Sequence, residues 1–72
     1  HAGSLTAPMP GKIIAIEVKS GDKVKRGQAL LVMEAMKMEH TITAGVDGVV
    51  ENIYFGVGEQ VTEGAVLISL EQ

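Results

Sequence analysis

The strongest constraint on the fold is an internal repeat with an offset of 37 residues. When residues 7–34 are aligned with residues 44–71, eight of the 28 positions are identical. Unrelated segments of this length match at roughly two positions, given ordinary residue frequencies. The identical pairs include three glycine pairs, Gly11/Gly48, Gly21/Gly58 and Gly27/Gly64. The chain therefore contains two similar units, each of which needs the other to bury its apolar face.

Each copy has the residue types of short strands joined by tight turns. An apolar stretch is followed by a Gly-acidic pair and then by a second apolar run. In the two copies these are residues 13–18 or 49–55, Gly21-Asp22 or Gly58-Glu59, and residues 29–33 or 65–70. Glycine supplies the positive φ of a turn, and the acid binds nearby backbone amides, so Asp22 and Glu59 are predicted turn formers and not a catalytic pair. The core is aliphatic, since Tyr54 and Phe55 are the only aromatic residues. The pattern predicts an all-β sandwich or barrel with pseudo-twofold symmetry.

One mismatch between the copies predicts a local irregularity. Ile14 of the first copy aligns with Glu51 of the second. The two strands cannot bury the same set of positions throughout, so we expect a β-bulge or an exposed edge there.

Residues 28–40 allow a helical alternative, because they are rich in helix formers and lack glycine and proline. The repeat argues against a helix, since the matching run 65–70 is rich in β-formers. We therefore predict strands at 30–34 and 38–43, with Ala35, Met36 and Lys37 in the turn between them.

This turn contains no glycine, asparagine or proline, and two methionines flank a single lysine instead. Exposed methionine is costly for solubility but adapts well to a partner surface. Such a departure from ordinary turn chemistry tends to mark a functional site. The alternative is that Met36 and Met38 belong to the core. The other lysines, together with Glu39 and His40, are interpreted as solvated side chains.

Composition excludes several classes of function. The chain has no cysteine, and His1 and His40 cannot form a zinc site alone, so no metal site and no catalytic residue is predicted. A net charge of −3 with two aromatic residues argues against nucleic-acid binding. No apolar run approaches the roughly 20 residues of a membrane helix, and no signal peptide is recognisable, which favours an intracellular compartment. We expect one domain at residues 5–72, preceded at 1–4 by a native linker or a tag remnant.

The segment Glu34-Ala35-Met36-Lys37-Met38 resembles the biotin attachment motif of biotin-dependent carboxylases, in which a lysine lies between two methionines. The resemblance continues through residues 7–11, 18–27 and 45–64. It implies a flattened barrel-sandwich of two four-stranded antiparallel sheets, with Lys37 at a hairpin tip far from both termini. It also implies that biotin is attached covalently to Lys37, with Glu34, Ala35, Met36 and Met38 as the flanks that are recognised.

The same resemblance implies a carboxyl carrier that is not itself catalytic. A biotin protein ligase would load Lys37, and the arm would carry carboxylate on its ureido ring between a biotin carboxylase and a carboxyltransferase. The closest resemblance is to acyl-CoA carboxylase α subunits of the methylcrotonoyl-CoA type. These occur in the bacterial cytoplasm or the mitochondrial matrix.

Lipoyl carrier domains resemble this family in fold and also carry a modified lysine at a hairpin. They usually have Asp-Lys-Ala where this chain has Met36-Lys37-Met38, which favours biotin over lipoate. Two further alternatives are a free-standing enzyme, for which no nucleophile-base set or phosphate loop is found, and an unmodified interaction module.

Overall fold

The computed structural model describes residues 3–72, which form eight strands. These are β1 (Ser4–Thr6), β2 (Gly11–Ile16), β3 (Lys23–Val24), β4 (Ala29–Ala35), β5 (Met38–Thr43), β6 (Gly48–Ile53), β7 (Gln60–Val61) and β8 (Val66–Glu71). Residues 28–40 thus contain strands, which confirms the prediction against a helix. Within residues 3–72 there is no helix long and apolar enough to cross a membrane.

The strands form two four-stranded antiparallel sheets, as predicted. Their orders are β1-β8-β6-β3 and β5-β4-β2-β7. A continuous aliphatic core fills the space between them, and its largest fully buried side chains come from both sheets. They are Ile13, Leu30, Leu31, Met33, Val50, Leu67 and Ile68. Residues 3–72 reach a closed core in this way without any helix.

The predicted pseudo-twofold symmetry extends to individual hydrogen bonds. The N–H of Gly21 donates to the carbonyl of Val50 over 2.8 Å, and the N–H of Gly58 donates to the carbonyl of Ile13 over 2.7 Å. Each donor and acceptor in the first bond is related to one in the second by the repeat offset. Four glycines in equivalent turns have φ between 84° and 94°, namely Gly21, Gly27, Gly58 and Gly64. The positive φ explains why the repeat keeps glycine there.

The two halves exchange a short strand. β3 of the first copy pairs with β6 of the second, and β7 of the second copy pairs with β2 of the first. Neither half could therefore complete a sheet alone.

The mismatch between Ile14 and Glu51 lies at an irregularity in both sheets. The β2–β4 register shifts between Ile13 and Ala15, and the β6–β8 register shifts between Val50 and Asn52. The predicted bulge is confirmed, and it occurs in both copies. It turns Ile14 and Glu51 away from fully buried positions, so different side chains are tolerated there.

The first strand begins one residue before the expected domain start. Ser4 pairs with Ser69, and the carbonyl of Gly3 accepts a hydrogen bond from the N–H of Leu70 over 3.1 Å. The rest of the expected linker, residues 1 and 2, lies outside the described residues.

Candidate functional site

The unrepeated segment forms a hairpin with a two-residue turn. Ala35 of β4 pairs with Met38 of β5, which leaves only Met36 and Lys37 in the turn. The prediction that Ala35 belongs to the turn was wrong. Ala35 is the last strand residue and only 4% exposed, because its methyl group caps the end of the core.

Both turn residues adopt left-handed backbone conformations. The φ angles are 54° for Met36 and 65° for Lys37, the geometry of a type I′ hairpin turn. Such turns favour Asn-Gly, because residues with larger side chains are disfavoured at positive φ by about 1 kcal/mol or more each. The identity of this pair therefore reflects a requirement other than turn stability.

The turn exposes the side chains that flank the lysine. Met36 is 83% exposed, Met38 is 63% exposed, and Lys37 is exposed between them. The alternative in which these two methionines are core residues is therefore wrong. The fully buried methionine is Met33, which lies in β4 two residues before Ala35. A primary amine at an apex with two polarizable apolar neighbours is accessible to an enzyme that modifies it.

The hairpin is supported from below by a close backbone approach. A Cβ atom added at Gly11 of β2 would lie 2.5 Å from the carbonyl oxygen of Glu34 and 3.1 Å from Cβ of Ala35. At the equivalent Gly48, an added Cβ atom would likewise lie 2.7 Å from the carbonyl oxygen of Glu71. In each half the contact is with a backbone carbonyl, so it explains the two glycines and not the glutamate side chains, which are exposed. This approach fixes the end of β4 directly before the turn.

The charged residues next to the turn lie side by side across three strands. Glu34 is paired with Glu39 on one side and with Lys12 on the other, and all three are exposed. Two like charges directly opposite each other on a sheet are destabilising. Lys12 and Glu34 also line an open groove of about 370 Å³ beside Lys37. The surroundings of Lys37 are open and combine exposed apolar methionines with charged side chains, and the groove beside it is not an enclosed cavity.

His40 was expected to be solvated together with Glu39, and this was wrong for His40. The alternation of β5 turns His40 inward, and its Nε2 atom is buried without a hydrogen-bond partner among residues 3–72. Glu39 is exposed as expected.

The remaining acidic candidates have structural roles. The carboxylate of Asp22 accepts the N–H of Lys19 over 3.0 Å, and that of Glu59 accepts the N–H of Gly56 over 2.7 Å. They are equivalent turn formers, as predicted. No group of three or more potential metal ligands occurs within residues 3–72.

A family model described as "Biotin-requiring enzyme" matches residues 3–70. The chain belongs to this family. The exposed Lys37 side chain lies beside an open groove at the hairpin tip, a position that fits a covalently attached group. The predicted family and its cofactor, biotin, are thereby confirmed.

Two curated relatives are carboxylase α subunits. The chain is 56% identical over 61 residues to the mitochondrial methylcrotonoyl-CoA carboxylase subunit alpha of Dictyostelium discoideum, covering 85% of this chain and 9% of the relative. It is 46% identical over 67 residues to the human mitochondrial propionyl-CoA carboxylase alpha chain, and the match covers 93% of this chain and 9% of that relative. The chain thus spans about a tenth of the length of these relatives. At such identities the lipoyl alternative is not favoured.

Solved structures agree with the fold. The Kluyveromyces lactis urea carboxylase superposes with a TM-score of 0.92 at 27% identity, over 99% of this chain and 6% of that one. The lipoyl domain of the 2-oxoglutarate dehydrogenase complex from Azotobacter vinelandii superposes with a TM-score of 0.79 at 23% identity, and the match covers 96% of this chain and 98% of that domain. The second likeness supports the all-β barrel-sandwich fold alone.

Proposed function

We propose that this domain is the carboxyl carrier of a biotin-dependent acyl-CoA carboxylase and that Lys37 is its attachment site. The observation that carries the proposal is the apex of the β4–β5 hairpin, where Lys37 projects between two exposed methionines. Glu34, Ala35, Met36 and Met38 complete the segment that a biotin protein ligase would recognise. The domain is assigned to residues 5–72 together with Ser4, which opens β1.

The chemistry of loading follows from the position of the amine. Amide formation uses the deprotonated Lys37 nitrogen as nucleophile on a biotinyl carboxyl group that the ligase has activated as an adenylate; the C–N bond forms as AMP leaves, and the positive charge of Lys37 is lost. Biotin, when attached, supplies a ureido ring that accepts and releases a carboxylate group. The hairpin holds the attachment point on paired strands, so motion is confined to the arm and to the connection of the domain.

Tethering explains the use of a separate carrier. A group on a mobile domain meets each active site at an effective concentration that can reach millimolar. The partners in this proposal are a biotin carboxylase and a carboxyltransferase of the same enzyme. No role for nucleic acid or a membrane surface is included. The mitochondrial matrix or the bacterial cytoplasm is the proposed location, and the names of the relatives favour the matrix.

Intact mass after co-expression with a biotin ligase tests the attachment site. The chain is expected to gain one biotinyl group, and Lys37→Arg is expected to abolish the gain. Lys12→Arg is the matched control, because Lys12 is also exposed and lines the same groove; it is expected to retain full modification. A lipoyl-sized gain would support the lipoyl alternative instead, and an unmodified chain would contradict the proposal.

A further inference from the structure

The two halves have similar backbone conformations but differ in charge at one corner. Lys19, Lys23, Lys25 and Arg26, here called the cationic corner, comprise four of the six cationic residues of a chain whose net charge is −3. Their repeat equivalents are Gly56, Gln60, Thr62 and Glu63. Because the equivalent corner forms the same turns and backbone hydrogen bonds without cations, the fold does not require the four positive charges.

The two carboxylates near the cationic corner accept hydrogen bonds from backbone N–H groups. Asp22 accepts the N–H of Lys19, and Asp47 accepts the N–H of Arg26 over 2.8 Å. The four cationic side chains themselves are exposed. Even with both carboxylates counted, the corner has an excess of two positive charges, and carboxylates of another surface would complement them.

The corner also contains an open groove of about 470 Å³ over the paired strands β3 and β6. Lys23 and Lys25 lie at the groove together with Asp47, and the partly buried Val49, which shares a face of the sheet with Lys23, gives it an apolar floor. This combination suits an acidic protein segment with an aliphatic anchor better than a small anion, which gains nothing from an apolar floor.

The corner lies far from the hairpin tip. Gln28 lines the groove immediately before β4, and β4 then runs to Ala35 at the base of the turn. Seven residues of strand at about 3.3 Å each separate the groove from the tip by roughly 20 Å. A partner bound at the corner therefore leaves Lys37 free.

We propose that the cationic corner docks reversibly on an acidic surface of the rest of the carboxylase, so that the tip remains accessible while the domain is docked and the domain is still free to move between the two active sites. This inference rests on the proposed carrier function. Lysines on edge strands also discourage edge-to-edge pairing, but the equivalent edge strand β7 carries Gln60 and no lysine. Edge protection therefore does not account for the difference between the halves.

The test is carried out in the complete carboxylase that contains this domain. One variant combines Lys23→Gln, Lys25→Thr and Arg26→Gln, of which the first two are the residues at the equivalent positions of the other half. The control combines Thr6→Glu, Val57→Glu and Thr62→Glu, three exposed sites outside the corner that give the same change in net charge. Overall carboxylation is measured in about 50 mM and about 500 mM NaCl, since screening weakens exposed charge pairs at the higher salt.

At low salt the overall rate of the corner variant is expected to be about 10-fold lower than that of the unaltered enzyme, because three exposed ion pairs are lost. At high salt the two rates are expected to differ by less than about twofold. The control is expected to stay within about twofold, and ATP-dependent carboxylation of free biotin is expected to be unchanged in both. Equal rates for variant and control would overturn the proposal. A loss on adding inorganic phosphate at constant ionic strength that occurs in the unaltered enzyme and not in the corner variant would assign the corner to a small anion and would also overturn it, since inhibition of the ATP-dependent step by phosphate affects both enzymes equally.

Two further measurements separate the possible failures. Intact mass must show one biotinyl group on each variant; its absence from the unaltered enzyme would refute the carrier function itself. Zero-length carbodiimide cross-linking of the unaltered carboxylase is expected to join Lys23 or Lys25 to carboxylates outside the domain. Cross-links outside the domain that involve only Lys12 would contradict docking through the corner.

Discussion

Gly11 and Gly48 show why single residues of the repeat are retained. In each half a glycine lies against the carbonyl of a glutamate on the neighbouring long strand, at 2.5 Å and 2.7 Å from an ideal Cβ position. Neither glycine has a positive φ. Space, and not backbone conformation, selects glycine at these two positions.

We expect Gly11→Ala to lower the free energy of unfolding by about 1–3 kcal/mol, the usual cost of overpacking. Its Cβ would meet the Glu34 carbonyl, which is held in place because the chain continues into the hairpin. Gly48→Ala is expected to cost about as much, since its added Cβ would lie 2.7 Å from the carbonyl oxygen of Glu71, which pairs with Val49 of β6. Urea denaturation provides the measurement. Gly45→Ala is the control, because nothing lies within 4 Å of its added Cβ; an equal loss there would contradict the steric explanation.

The site was predictable at some residues and not at others. Lys37 stood out because the repeat isolates its segment and because methionines flank it. Ala35 was misplaced because no local turn signal marks the end of β4; cross-strand pairing and burial of one methyl group determine it. His40 was misplaced because the direction of alternation in β5 depends on its register with β4, which composition does not reveal.

At the scale of the element, the hairpin combines a strained turn with an unfavourable charge pair. Met36 and Lys37 occupy positive φ, and Glu34 faces Glu39 directly below them. Neither the positive φ angles nor the glutamate pair stabilises the hairpin. Together these residues place a thioether, an amine and two carboxylates around its apex. A functional requirement at the tip explains why the less stable choices are found together.

Replacing Met36 by Asn is expected to raise the free energy of unfolding by about 1 kcal/mol, because asparagine tolerates the left-handed conformation better. The same variant is expected to accept biotin more slowly, since one exposed methionine is lost. Met38→Asn is the matched control: it lies in a strand without positive φ, so no stabilisation is expected. Urea denaturation and the rate of biotin incorporation measure the two effects. An unchanged stability of Met36→Asn would refute the proposed strain.

At the scale of the whole molecule, the repeat predicted an all-β fold with pseudo-twofold symmetry and a bulge or an exposed edge near Ile14 and Glu51, and the family resemblance implied the two four-stranded sheets. Neither predicted the exchange of β3 and β7 between halves. Each of these strands has two residues, too few for a recognisable alternation. Their partners are determined by the closure of the barrel and by turn hydrogen bonds such as that from Gly21 to Val50. Such long-range pairing has no local signature in the sequence.

The exchange of strands predicts that the molecule unfolds as one unit. Ile13 of β2 and Ile68 of β8 are fully buried in different sheets. Replacement of either by valine is expected to cost about 0.5–1.5 kcal/mol. Because each half completes the other's sheet, either change should shift the entire urea transition, with far-UV circular dichroism and Tyr54 fluorescence remaining coincident. Val57→Ala, at an exposed site, is expected to change stability by no more than about 0.5 kcal/mol. Separate transitions for the two probes would show that the halves fold independently, contrary to the strand pairing that the structure shows.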